Sequence, residues 1–558
     1  MKETDSNHDL RGLLILLVSL LGLVVFCIIL LSLVPPVNKD ELVHHLAVPK
    51  LYLKHGGMYE IPFMDFSYYP MNVDLLYLIP LYFGSDIIPK FIHFSFALLT
   101  AGLLYSYLKR RTGPGYGLFG VVFFLSIPII VKLSISAYVD LGLIFFSFAS
   151  ILLLLKWAEK GLKIKFLVLS GVMAGLAMGT KYNGLVTTAV LTLFVPILSE
   201  RQGKGNFFRS ILHGVLFISI ALIVFSPWMV RNYTWKRNPI YPLYEHKFNP
   251  PKSQASGEDQ DKDESINSGL GVFVIREGIY HESWWQIAMV PIRVFFEGQD
   301  ESPKHFDGKL NPFLLLFPLL SFWRRKEDPE VLRGEKRVFL AFVGLFFAVA
   351  FFTSDLRIRY IAPILPPLVV LSVLGVSKMN FAVGSVKGRW ARIGGLLVVL
   401  LVVVFALIIN GKYIFTQFET VQPFSYLSGK VSRDEYIAEH RPAYPAVRFI
   451  NENLPSNALV LFLFLGRRGY YCDRNYIHGE GSWEMILKEA RSPDGIREAL
   501  SRSGITHLFI YDPLLEKWVN NNLNEYKFNI LNQFFKKYSK VIYSKNGFTL
   551  LSLEGALS

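Results

Sequence analysis

Two adjacent carboxylates, Asp40 and Glu41, stand six residues beyond the end of a 23-residue run without charge, Gly12 to Val34. A third acid, Asp140, opens a later apolar segment within Ser-Ala-Tyr-Val-Asp, and Lys132, Lys181, Arg357 and Arg359 occupy short connections otherwise poor in basic residues. Ionisable groups near membrane depth are costly, so their persistence invites a functional reading. Acids facing several cations in an outer-leaflet cleft suit a phosphate-bearing lipid substrate. The cations bind the phosphate, with arginine favoured for its forked geometry, and a carboxylate is left to take a proton from an attacking nucleophile.

Plainer readings stand beside this one. Asp40 and Glu41 occupy the first turn of an expected helix, where the macrodipole favours acids in any protein. Asp140 suits an N-terminal cap, Lys181 a snorkelling side chain, and Arg357 and Arg359 a solvated loop cluster with Asp355. His44 and His45 follow the two acids at i+4 and leave room for a divalent metal, although adjacent histidines on an interfacial helix are usually polar-face residues.

The elements that must position these groups are membrane spans. The chain has 558 residues, 52% hydrophobic and only 18% charged, too apolar for a soluble protein of this size. The first run is long enough to cross a hydrocarbon core as a helix, and too long, without a small-residue cleavage site, for a signal peptide. Further apolar segments near 87–108, 116–133, 138–155, 166–180, 184–199, 210–228, 310–323, 337–353, 360–377 and 393–410 bring the expected count to about eleven.

The net charge of +14 could suggest a nucleic-acid partner, but the placement of the basic residues argues otherwise and marks topology. Lys109 to Arg111, Lys156 to Lys165, Arg201 to Arg209, Arg324 to Arg337 and Lys378 to Arg392 fall in alternate connections. The positive-inside bias makes that side cytoplasmic, together with the N-terminus. An odd number of spans then leaves the C-terminal segment outside. Cys27 and Cys472 offer no disulfide framework.

Three pieces lie outside the spans: residues 35–86, 229–309 and 411–558. Asp40 to His55, bounded by Pro35-Pro36 and Gly56-Gly57, reads as an amphipathic helix at the membrane surface. Lys252 to Ser268 is polar enough to read as mobile or disordered. In 411–558, β-like runs at Ala458 to Leu465, Thr506 to Tyr511 and Phe548 to Leu553 alternate with helical stretches such as Gly495 to Ser503, which predicts a small α/β domain. The expected organisation is a transmembrane domain over 1–410, with external loops 35–86 and 229–309, followed by an extracytoplasmic domain over 411–558.

Several stretches together resemble the polytopic lipid-carrier-dependent glycosyltransferases of GT-C fold, in particular the protein mannosyltransferase and aminoarabinose transferase branch. Asp40-Glu41 resembles the acidic motif of that family's first external loop, and Tyr68 to Tyr77, with Tyr69, Pro70 and Asn72, its proline-containing segment. Tyr138-Val139-Asp140 is similar to its second external acid, Gly175 to Lys181 to its glycine-rich run ending in Thr-Lys, and Arg359-Tyr360-Ile361-Ala362-Pro363 to its Arg-Tyr-x-x-Pro start of a span. The likeness covers roughly residues 10–410.

What it implies is an inverting glycosyltransferase that takes a sugar from a polyprenyl-phosphate donor and passes it to a lipid, glycan or protein acceptor outside the cytoplasm. Asp40 is implied as general base, with Glu41 and Asp140 orienting the acceptor or a cation. Tyr69, Asn72, Lys132, Lys181, Arg231, Arg357, Arg359 and Tyr360 are the expected substrate contacts. Tyr69 stands where aminoarabinose transferases carry a lysine, so that phosphate contact is either missing or supplied by Lys132, Lys181 or Arg231. The C-terminal segment does not resemble the sugar-binding repeat domain of eukaryotic protein mannosyltransferases. The short cytoplasmic loops look bacterial, which points to an inner membrane. A transporter or flippase of lipid-linked saccharides, and a non-catalytic envelope assembly protein, are the alternatives; no internal repeat supports the first.

Overall fold

Within lipid a backbone can satisfy its polar groups only by pairing them internally, so the long apolar runs must be helical. The computed structural model describes residues 2–201, 206–250, 271–323, 328–353 and 355–553. Lys204, Arg324, Arg325, Lys326 and the polar stretch Lys252 to Ser268 lie outside the described residues. The chain divides into two compact units, one of Met1–Leu33, Tyr69–Leu76 and Ile87–Pro423, the other of Val34–Tyr68, Tyr77–Asp86 and Phe424–Ser558.

The first unit is built from α1 (Lys2–Ser32), α2 (Ile88–Thr112), α3 (Pro114–Ser126), α4 (Pro128–Ser134), α5 (Asp140–Glu159), α6 (Ile164–Thr180), α7 (Asn183–Arg201), α8 (Phe207–Lys236), α9 (Phe313–Ser321), α10 (Glu330–Thr353), α11 (Leu365–Gly384) and α12 (Arg389–Val421). Among the described residues seven helical stretches are long and apolar enough to cross a membrane, or eight if the bent pair α3 and α4 is one span, so the expected eleven are not reached by that measure. The reasons are local. Pro128 forces Ile127 into an extended conformation (φ −54°, ψ 131°) and bends the 116–133 segment by 66°. Helix α6 has 17 residues and α9 only nine, while the first turns of α10 are charged. Helix α12 runs on through residues 411–421, beyond the expected boundary at 410.

Glycines let these helices approach. A Cβ on Gly175 would lie 2.6 Å from Ala221 O, and one on Gly171 3.0 Å from Phe217 O, so this face of α6 lies against α8 backbone to backbone. Small polar side chains pair in the apolar interior: Ser150 with Ser170 at 3.0 Å, Ser147 with Thr187 at 3.0 Å, and Asn410 with Asn311 at 2.7 Å and Ser126 at 2.9 Å.

In the second unit, the expected helix from Asp40 to His55 is two elements. A π-helical turn, Glu41–His45, precedes a helix, Ala47–His55, that ends on Gly56 in the left-handed region (φ 83°). Leu42, Leu46, Ala47 and Val48 are buried in protein, which corrects the expectation that this face rests on the bilayer. The C-terminal part forms a five-stranded sheet, β1 (Leu459–Leu463), β2 (Asn475–His478), β3 (His507–Tyr511), β4 (Ser539–Lys545) and β5 (Phe548–Leu553), in the order β2-β1-β3-β5-β4. The first three strands are parallel, and β5 is antiparallel to both β3 and β4.

Strand alternation gives the sheet two apolar faces. Leu461, Leu508 and Leu551 are in register on one, packed with Trp483, Ile496, Leu500 and Phe534 of the helices Glu480–Glu489, Pro493–Arg502 and Glu525–Tyr538. Phe462, Tyr476, His478 and Phe509 form the other, with Phe63 set edge-on to Tyr476 and His478.

Candidate active site

Helix α6 stops at Thr180, α7 begins at Asn183, and Lys181 between them is extended (φ −162°, ψ 145°). Its Nζ donates to Asp140 Oδ1 at 2.7 Å. Asp140 is wholly buried in the first turn of α5, one residue inside the N-cap Val139, so it does not occupy the capping position. Nor does Lys181 snorkel: it is inward-facing and only 16% exposed.

Across from this pair, the 3-10 helix Ile358–Ile364 carries Arg359 and Tyr360. The Tyr360 ring has three cations around it, Lys181 Nζ at 5.3 Å, Arg359 Cζ at 5.4 Å and Arg357 Cζ at 5.9 Å. Arg359 also lies over the Tyr138 ring at 5.6 Å, and Asn183 Nδ2 donates to Tyr360 O at 3.1 Å. Five of the expected residues, Asp140, Lys181, Arg357, Arg359 and Tyr360, are thus gathered from separated parts of the sequence.

A second group holds Tyr69, Asn72 and Arg231. Arg231 Nη2 donates to Tyr69 O at 3.1 Å and to Asn232 Oδ1 at 2.9 Å, and its guanidinium lies over the rings of Trp228 and Trp235. Trp228 Nε1 donates to Asn72 Oδ1 at 2.8 Å, while Asn72 N–H donates to Gly179 O at 2.8 Å. Gly179 must be glycine for this, because a Cβ there would stand 2.2 Å from Asn72 Nδ2. Tyr182 joins the two groups: it follows Lys181 in the chain, its ring is 5.2 Å from that of Tyr69, and its hydroxyl accepts from Asn232 Nδ2 at 3.1 Å.

Lys132 and Arg357 are engaged differently from the expectation. Lys132 Nζ is 3.1 Å from Asp300 Oδ1 and 3.5 Å from Asp307 Oδ1, and Arg357 Nη1 is 3.4 Å from Asp307 Oδ2. Two acids of the 229–309 loop therefore partly neutralise these cations. Asp355, the expected partner of Arg357 and Arg359, instead accepts from Tyr280 Oη at 3.3 Å. Burial pushes the Asp355 carboxyl up, against the pull of Arg357 and Arg276. Arg276, fully buried, is held by Glu282 at 2.9 Å, which stiffens the same loop.

The residue that sequence reasoning missed is His93, a fully buried histidine inside the apolar α2. Its Nδ1 lies 2.8 Å from Ser136 O and 3.0 Å from Leu133 O, so that nitrogen carries the proton and donates. Nε2 is then an acceptor, and it takes the backbone N–H of Leu141 at 2.9 Å. This is one of the donors that the start of α5 leaves without an intrahelical partner. His93 thereby fixes the turn that presents Asp140. A histidine in a span without a nearby acid was the only signal available.

Asp40 and Glu41 belong to the second unit. Asp40 is half-buried and immediately precedes the π-helical turn, an irregularity often found at functional sites. Glu41 is fully buried; its Oε2 accepts the Asn38 N–H at 2.9 Å. Burial of the Tyr436 hydroxyl, and to a lesser degree the Glu41 charge, raise that hydroxyl well above its usual range. Glu41 has the surroundings of a structural acceptor, whereas Asp40 is partly exposed. His44 stacks on Phe66 at 4.6 Å, and among the described residues no three His, Cys, Asp or Glu side chains are gathered as metal ligands.

The family model described as dolichyl-phosphate-mannose-protein mannosyltransferase matches residues 86–230, from the start of α2 through most of α8. No curated protein matches the sequence. Among solved structures, ArnT from Cupriavidus metallidurans bound to undecaprenyl phosphate aligns with a TM-score of 0.57 at 13% identity, over 98% of this chain and 99% of that one. The oligosaccharyltransferase AglB from Archaeoglobus fulgidus, in complex with an inhibitory peptide and a dolichol-phosphate, aligns with a TM-score of 0.50 at 11% identity, over 97% of this chain and 75% of that one. The fold is therefore the GT-C fold that the motifs implied, in a multi-pass membrane protein with a small C-terminal sheet domain.

Proposed function

We propose that this chain, built on the GT-C fold, is an inverting glycosyltransferase that moves one sugar from a polyprenyl-phosphate donor to a lipid, glycan or protein acceptor on the non-cytoplasmic face of the membrane. The family match and the fold indicate a lipid-carrier-dependent glycosyltransferase. The observation that carries the finer reading is the gathering of Lys181, Arg357 and Arg359 around Tyr360 beside the buried Asp140.

In this mechanism Lys181 and Arg359 bind the carrier phosphate, with Arg231 and Arg357 adding to the positive field and Lys132 anchoring the 229–309 loop through Asp300 and Asp307. Asp140 holds Lys181 in place and offsets part of its charge. Asp40 takes the proton from the acceptor hydroxyl as that oxygen bonds to the sugar's anomeric carbon. The bond from that carbon to the phosphate oxygen breaks on the opposite face, which inverts the configuration. The leaving phosphate gains negative charge as the sugar becomes oxocarbenium-like, so fixed cations stabilise the transition state more than the ground state. With the N-terminus cytoplasmic, as the loop charges indicate, Asp40 faces outward.

The test is direct. The purified chain, given a labelled polyprenyl-phosphate sugar and a mixed pool of membrane lipids, glycans and peptides, should consume the donor and release the free carrier phosphate. A chain that moves the intact donor across a vesicle bilayer without cleaving it is a flippase instead, and one that does neither is an assembly protein.

A further inference from the structure

The second unit contains a connection whose course its own sheet does not explain. Parallel strands β1 and β2 are joined by residues 464–474, which contain no helix, although such crossovers usually require one. The later part of this connection bonds repeatedly to the acid-bearing segment near the N-terminus. Tyr471 Oη donates to Pro36 O at 2.7 Å, and Tyr470 N–H donates to Leu42 O at 3.2 Å, so the two bonds bracket Asp40. Lys50 Nζ then donates to Tyr470 O at 2.8 Å and to Asp473 Oδ1 at 2.7 Å.

The connection is itself held from behind. Asn451 Nδ2 donates to Tyr471 O at 2.9 Å, and Asn451 Oδ1 accepts the Asp473 N–H at 2.8 Å. Residues 35–38, by contrast, lie in neither helix nor strand, and Pro36 has no N–H with which to join one.

We propose that residues 470–473 are a positioning element for Asp40, with Tyr471 as its principal positioning residue, so that the C-terminal sheet domain serves the transfer step itself. This rests on the reading of Asp40 as general base. A base must stand within hydrogen-bond reach of the proton it takes, and misplacement by about 1 Å can cost roughly 100-fold in rate. The sheet supplies the rigid mount that the irregular 35–38 segment lacks.

Tyr471→Phe tests this in the full-length protein, because it keeps the ring against Tyr444 and Tyr470 and removes only the bond to Pro36. The expected result is a kcat lowered roughly 10- to 100-fold, a donor KM within about twofold, an unchanged thermal midpoint, and faster amide exchange over residues 34–46. Asp473→Asn, at an exposed position, should shift kcat and exchange in the same direction and by less. Unchanged kcat in Tyr471→Phe, with or without faster exchange, overturns the proposal. Asp40→Asn measured alongside separates the two ideas: full activity there removes the base reading, whereas an inactive Asp40→Asn beside a fully active Tyr471→Phe removes only the positioning role.

Discussion

Lys181 Nζ lies 2.7 Å from Asp140 Oδ1, joining the break between α6 and α7 to the first turn of α5. Both groups are largely withdrawn from solvent, and removing one partner of such a pair strands the other charge at a cost of about 3–5 kcal/mol. Lys181→Met should therefore lower the thermal midpoint in detergent and abolish transfer. Adding Asp140→Asn should recover most of the stability and none of the activity. Equal stability of the single and double variants contradicts the pairing.

His93 connects sequence, backbone and site in one side chain. His93→Leu leaves the Leu141 N–H and the Leu133 and Ser136 carbonyls without it, at a cost of about 1–3 kcal/mol for a buried unsatisfied group. His93→Gln retains a donor and an acceptor. Stability and transfer rate measured on both should rank wild type above Gln and Gln above Leu; a Leu variant equal to wild type removes His93 from the account.

At Gly179 a single methyl group is the probe. Gly179→Ala drives a Cβ into Asn72, which holds the Trp228 indole, and overpacking of this kind costs about 1–3 kcal/mol. Shortening Asn72 to alanine in the same chain should restore folded yield, measured by size-exclusion chromatography, without restoring full activity.

His478 gives the second unit a pH dependence. Burial, and to a lesser degree Arg467, depress its folded pKa from 6.5 to about 3. The folded state thus holds the neutral ring while the unfolded state takes up a proton below 6.5. The stabilising contribution is complete above pH 6.5 and is lost as pH falls toward about 3. His478→Phe, which matches the aromatic neighbours Phe63 and Phe462, should flatten the fall in the urea midpoint over that interval.

Much of this was legible in the residues. The apolar runs are helices, three of the five strands fall on the expected β-like runs, and Asp140, Lys181, Arg359 and Tyr360 meet. What was not legible depends on pairings far apart in sequence. Asp300 and Asp307 look like ordinary loop acids until Lys132 and Arg357 are seen between them. Glu41 is indistinguishable from Asp40 in the sequence, and only the structure shows one wholly buried and the other partly exposed. The amphipathic pattern from Asp40 to His55 predicted an apolar face correctly and its covering wrongly, because a periodic pattern does not say whether lipid or protein lies against it.

The proton acceptor is the center of the account, and Asp40→Asn tests it with one measurement: single-turnover transfer from a labelled polyprenyl-phosphate sugar, with carrier-phosphate binding followed in the same sample. Loss of the general base should slow transfer by about 100- to 10,000-fold while binding at the Lys181 and Arg359 cations stays at the wild-type level. Transfer at the wild-type rate contradicts the mechanism, and loss of binding together with transfer contradicts the separation of roles between Asp40 and the cations.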